Sequence, residues 1–87
     1  MAFDITIRNS AVKSLRRITK SAQKDIREKV DAMKAETVIE DAIKVVELKD
    51  AFRVRVGNYR IIFRYGQSPG TIEIIAIGDR KDIYRGL

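Results

Sequence analysis

The sequence predicts an α+β domain of order βααβββ, with two N-terminal helices packed on one face of a largely antiparallel four-stranded sheet. Three observations predict it: two-residue alternation at the N-terminus, apolar stripes at helical spacing between residues 11 and 33, and three alternating runs after residue 51 separated by turn sequences. The 87 residues are read as a single domain, residues 1–87, of a size that buries only about two-thirds of its unfolded surface. Unpaired charge in so small a domain needs a reason.

FDITIR alternates Phe3, Ile5 and Ile7 with Asp4, Thr6 and Arg8, the pattern of a half-buried first strand. Asn9 or Ser10 is expected to cap the helix that follows, because a short oxygen-bearing side chain accepts a hydrogen bond from a first-turn amide. Ala11, Val12, Leu15 and Ile18 then repeat at helical spacing, the register shifts around Thr19 to Ser21, and a second stripe runs through Ala22, Ile26, Val30 and Met33. Helices are therefore expected at about 10–18 and 21–36, with their Lys and Arg residues on wet faces. Residues 37–50 show short apolar pieces without a consistent period and are read as a connecting segment. Strands are expected at 52–56, 59–65 and 71–77, the last two joined by Gly66-Gln67-Ser68-Pro69-Gly70, with Gly78 closing the final strand.

The first of these hairpins, FRVRVGNYR, concentrates charge. Gly57-Asn58 suits a two-residue type II′ turn, whose first central position requires positive φ. That turn sets Val56 opposite Tyr59, Val54 opposite Ile61 and Phe52 opposite Phe63 on the side that covers the helices. The other side receives Arg55 directly opposite Arg60, with Arg53 opposite Ile62. Like charges at about 6 Å repel by about 3 kcal/mol at an effective dielectric of about 20, and by under about 1 kcal/mol in water. Either these arginines splay into water or pair with carboxylates such as Asp50, Glu73 or Asp79, or they form a cradle for an anion. The guanidinium fork matches phosphate oxygens in two-point contact, which favours the cradle. Beyond Gly78, Arg80, Lys81, Tyr84 and Arg85 emerge at a sheet edge, where Tyr84 either packs its ring on the sheet or serves to stack on a base or move a proton.

Composition narrows the chemistry. The chain contains neither cysteine nor histidine, so there is no disulfide frame, no thiolate nucleophile, no usual zinc site and no imidazole base. Eighteen basic and twelve acidic residues give a net charge of +6, as suits a solvated basic surface or a polyanionic partner. The N-terminal MAFDITIR lacks the basic-then-apolar plan of a signal peptide, and no apolar run approaches a membrane span of about 20 residues, so a cytoplasmic protein without membrane contact is expected.

LKDAFRVRVGNYR (48–60) together with GDRKDIY (78–84) resembles the RelE-type toxins of the RelE/ParE toxin–antitoxin superfamily, over essentially the whole chain. The resemblance implies a metal-independent and cofactor-free endoribonuclease that cleaves mRNA in the ribosomal A site, arresting translation. It implies a cognate antitoxin that wraps and neutralises the protein, with operator DNA engaged only through that antitoxin. It assigns Arg53, Arg55, Arg60, Arg80 and Tyr84 to phosphate binding and proton transfer; Lys49, Lys81 and Arg85, basic residues beside them in the sequence, are expected to make flanking RNA contacts. Where some members carry lysines on the second strand of the motif, this chain carries Arg53 and Arg55, which stay protonated. Asp79 stands where many relatives show histidine, so proton transfer is open between Tyr84, Asp79, and the substrate and ribosome themselves. A gyrase-poisoning ParE-like toxin and a non-catalytic nucleic-acid-binding module are the alternatives.

Overall fold

The computed structural model describes residues 3–36 and 39–79. Its elements are β1 (Asp4–Ile7), α1 (Asn9–Arg17), α2 (Lys20–Ala35), β2 (Ile43–Lys44), β3 (Phe52–Val56), β4 (Tyr59–Tyr65) and β5 (Thr71–Asp79). The strands form one sheet of order β1-β5-β4-β3-β2, antiparallel except for the parallel pairing of β1 with β5. The α+β class is as expected. The sheet has five strands where four were expected, because two residues of the connecting segment, Ile43 and Lys44, pair with Arg53 and Phe52 along the edge of β3.

The helices end close to the expected positions, but α1 starts differently. Its N-cap is Arg8, with no side-chain cap; Asn9 and Ser10 already lie inside the first turn, so neither caps it. The cap of α2 is Thr19, whose Oγ1 accepts from the Ala22 amide at 3.2 Å, satisfying one donor of the first turn. Arg16 and Arg17 close α1, where positive charge complements the helix dipole.

The main core lies between the helices and one face of the sheet. Ala11, Ile26, Val30 and Met33 from the helices pack against Val54, Ile61, Phe63, Ile72, Ile74 and Ile77. At one end, Phe52, Phe63, Tyr65 and Phe3 form a ring cluster with centroids 5.4–6.0 Å apart, the spacing of edge and tilted aromatic contacts.

A bulge in β5 explains how three isoleucines at uneven spacing reach the same core. Ile62 pairs with Ala76 and Phe63 with Ile74, so Ile75 is an extra residue. The insertion resets the alternation, and Ile77 returns to the helix-bearing side with Ile72 and Ile74. Ile75 and Ile62 then face away from the helices. They are covered by Val45, Ala51 and Leu48, which form a second, smaller apolar cluster with Ala76 on the opposite face. This is what folds the 43–51 segment onto the sheet; it is held by the Val45 amide bonding to the Ala51 carbonyl at 2.9 Å and turns through Asp50 at φ 55°. Strand β5 also runs through Gly78, opposite Arg60, to Asp79, opposite Tyr59. Gly78 therefore continues the ladder and does not close it.

The hairpin register is the expected one: Phe52 with Phe63, Arg53 with Ile62, Val54 with Ile61, Arg55 with Arg60 and Val56 with Tyr59. Gly57 has φ 59°, and Asn58 is not among the residues with positive φ, the sign pattern of a type II′ turn. A Cβ at Gly57 would meet nothing within 4 Å, so the demand for glycine is conformational. Gly57→Ala is expected to cost about 1–2 kcal/mol. An 87-residue domain would then melt at least about 4 °C lower, and an unchanged melting temperature would contradict this account of the turn. Ile62→Ala should cost about 2–5 kcal/mol in urea unfolding, whereas a side chain facing water would cost a few tenths.

Candidate nucleic-acid interface

Strand alternation and the hairpin register put Arg53, Arg55 and Arg60 on the face of the sheet opposite the helices. Arg53 and Arg60 are half-buried and Arg55 is exposed. Arg53 and Arg60 come together in a depression of about 190 Å³ that is walled by Lys44, Val45, Val46 and Glu47. Ile62, across the ladder from Arg53 and two residues from Arg60 on the same face, is fully buried within the second apolar cluster and anchors the strands that carry both arginines. Basic side chains thus stand on two neighbouring strands and on the segment that folds over them.

Arg55 does not line this depression. Its Nε donates to the Gly57 carbonyl at 3.1 Å, which draws the guanidinium back toward the turn and away from Arg60. That contact is the local answer to placing two like charges opposite each other. The carboxylate alternative also receives an answer for Arg53 and Arg55: neither takes part in an ion pair among the described residues. Glu73 bonds instead to Arg8, with Arg8 Nη2 donating to Glu73 Oε1 at 3.1 Å. The other ion pairs recorded, Lys29 with Asp41 and Lys34 with Asp31, lie on the helix side.

Lys49 is exposed in the turn between β2 and β3 and is not among the residues walling the depression. Asp79 ends β5 opposite Tyr59, so alternation assigns it to the helix-bearing side, across the sheet from Arg60. Arg80, Lys81, Tyr84 and Arg85 fall outside the described residues. Sequence reasoning missed Lys44 and Glu47 as neighbours of the arginines. A signal existed: the doublets Ile61-Ile62 and Ile74-Ile75 break the two-residue alternation, so one member of each needed cover on the arginine face. Among the described residues no cluster of His, Cys, Asp and Glu could hold a metal ion, and no helix is long and apolar enough to cross a membrane.

No curated protein matches the chain. Among solved structures it is similar to the archaeal RelE–RelB complex from Pyrococcus horikoshii, at 27% identity over 92% of this chain and 97% of that one, with a TM-score of 0.75. The toxin–antitoxin complex RelBE2 from Mycobacterium tuberculosis shares the fold at a TM-score of 0.80 and 18% identity, over 92% of this chain and 100% of that one. The RelB–RelE complex from Methanococcus jannaschii does so at 0.72 and 24%, over 93% and 96%. Residues 5–84 match the family model described as the ParE toxin of the type II toxin–antitoxin system, parDE. That match spans nearly the whole chain, so the protein belongs to this toxin family, within the RelE/ParE superfamily.

Proposed function

We propose that this toxin is an mRNA endoribonuclease acting in the ribosomal A site, and that a cognate antitoxin holds it inactive. The observation that carries the reading is the convergence of Arg53 and Arg60, with Lys44 beside them, in one depression on the sheet face opposite the helices. The likeness to RelE proteins solved with RelB supports both the nuclease and the antitoxin partner.

The reaction suits such a surface. The 2′-hydroxyl of the RNA attacks the adjacent phosphorus, a new P–O2′ bond forms, the P–O5′ bond breaks, and a 2′,3′-cyclic phosphate remains. One proton leaves the 2′-oxygen and one arrives on the 5′-oxygen. Negative charge grows on the non-bridging phosphoryl oxygens in between. Guanidinium groups already fixed at that position stabilise it without reorganising, often the largest single catalytic contribution. Arg53 and Arg60 are assigned this role, with Arg80 joining them. Arginine holds its protons at physiological pH, so these groups stabilise charge and the proton is moved by Tyr84, by Asp79, or by substrate and ribosome. Arg55 is assigned to the rim of the site, while Lys49, Lys81 and Arg85 contact flanking RNA. The ribosome supplies the alignment of the 2′-hydroxyl, which is worth several kcal/mol.

A second reading has its own support: the matching family model is that of ParE toxins, and ParE-like members poison DNA gyrase. The two separate cleanly by experiment. Primer extension on mRNA, with and without ribosomes, should show breaks only when ribosomes are present, and gyrase supercoiling should be unaffected. Inhibition of supercoiling without mRNA breaks would replace the nuclease with the gyrase reading. Arg60→Ala should lower the cleavage rate by about 10²–10³-fold, while its melting temperature stays near wild type. Tyr84→Phe should slow cleavage if the hydroxyl moves a proton and leave it near wild type if the ring only stacks.

A further inference from the structure

The arginine face holds a further cation that the depression does not use. Arg64 follows Arg60 by four residues on β4, on the same face, and is half-buried. Its Nε is buried without a hydrogen-bond partner, an arrangement that costs free energy unless something satisfies the group. The residue directly across the ladder is Glu73, the natural partner of a cross-strand arginine. Glu73 instead accepts from Arg8 Nη2 at 3.1 Å, and Arg64 has no ion pair among the described residues. The one carboxylate across the ladder from Arg64 is thus taken by Arg8.

Between Arg64 and the depression lies the apolar cluster of Val45, Ala51, Ile62 and Ile75. Arg64 lies four strand steps beyond Arg60, about 13 Å at about 3.3 Å per residue. A stacked strand at the duplex-DNA rise of about 3.4 Å per nucleotide covers that distance in about four nucleotides, and the tighter A-form stack of RNA in about five. The cluster is buried, each member no more than 3% exposed, so a strand that bridges the two cationic ends is held by its phosphates and not by stacking on these residues.

We propose that Arg64, flanked by the Arg8–Glu73 pair, is a second phosphate-binding subsite that holds the same RNA strand several nucleotides from the depression. The inference rests on the reading that RNA backbone lies on this face, and it adds a subsite that needs no chemistry of its own. Its test is accordingly binding to non-cleavable RNA, so a protein that binds RNA without cutting it would overturn the nuclease and leave this subsite standing.

The probes are a 2′-O-methyl dinucleotide and a 2′-O-methyl octanucleotide, titrated at several salt concentrations against wild type, Arg64→Met and, as a charge-matched control on exposed α2, Arg27→Met. Losing one single-strand phosphate contact lowers the slope of log affinity against log salt by about 0.7, equivalent to about fivefold in affinity at 0.1 M salt. Arg64→Met should show that loss with the octanucleotide and none with the dinucleotide, and Arg27→Met should show it with neither. Should Arg64→Met fail to melt cooperatively, Glu73→Gln decides: removing the competing carboxylate should tighten the octanucleotide several-fold and leave the dinucleotide unchanged. Equal octanucleotide affinity in wild type, Arg64→Met and Glu73→Gln would overturn the subsite. So would a loss in Arg27→Met equal to that in Arg64→Met, or an octanucleotide that binds wild type no tighter than the dinucleotide.

Discussion

The registration of β3 against β4 is the constraint on which the rest of the structure depends. Gly57 at φ 59° closes a two-residue turn, and the pairing that follows sends Phe52, Val54 and Val56 one way and Arg53 and Arg55 the other. A slip of one residue would exchange the two sets, burying guanidinium groups under α1 and α2 and exposing the core. Burial of Val54, Ile61 and Phe63, each no more than 1% exposed, therefore fixes where the positive charge stands. Packing and the candidate site are two consequences of one pairing.

The arginine face is not simply the wet side of a sheet. Ile62 and Ile75 require cover there, and the cover comes from Val45, Leu48 and Ala51. That cover builds a wall beside Arg53 and Arg60 and turns a flat charged surface into a depression containing Lys44 and Glu47. It also packs the sheet beside the arginines, because Ile62, across the ladder from Arg53 and two residues from Arg60, is fully buried. Electrostatic stabilisation of a developing charge depends on groups that need not move, and a buried isoleucine packed beside them on the same strands is a physical source of that constraint. Val46, by contrast, is 92% exposed on the wall of the depression, where an apolar side chain is available to a ligand.

Much of this was legible in the sequence. Alternation and helical spacing gave the class, the order of the main elements and every pairing of the β3–β4 hairpin, since Gly57-Asn58 and the Phe-Arg-Val-Arg-Val run leave only one register that buries the apolar residues. The β5 bulge and the short strand β2 were not legible by the same means. Period-two reading assumes a regular ladder, and an inserted Ile75 violates it. The 43–51 segment is held by contacts with residues distant in sequence, which local periodicity does not register. The N-cap of α1 failed for a related reason: Arg8 is extended because its amide bonds to the Ile74 carbonyl at 2.9 Å, so the strand pairing of its neighbours decides where the helix begins. Arg64 escaped notice because its meaning lies in which partner Glu73 chooses.

The central claim is that the hairpin holds Arg53 and Arg60 ready for one phosphate group. The most direct measurement is side-chain NMR of the arginine Nε–H groups during titration with a 2′-O-methyl dinucleotide. The account predicts that the Arg53 and Arg60 resonances move together along one binding curve while those of Arg16 and Arg17 on α1 stay in place. Movement of the α1 signals with Arg53 and Arg60 unaffected would contradict it.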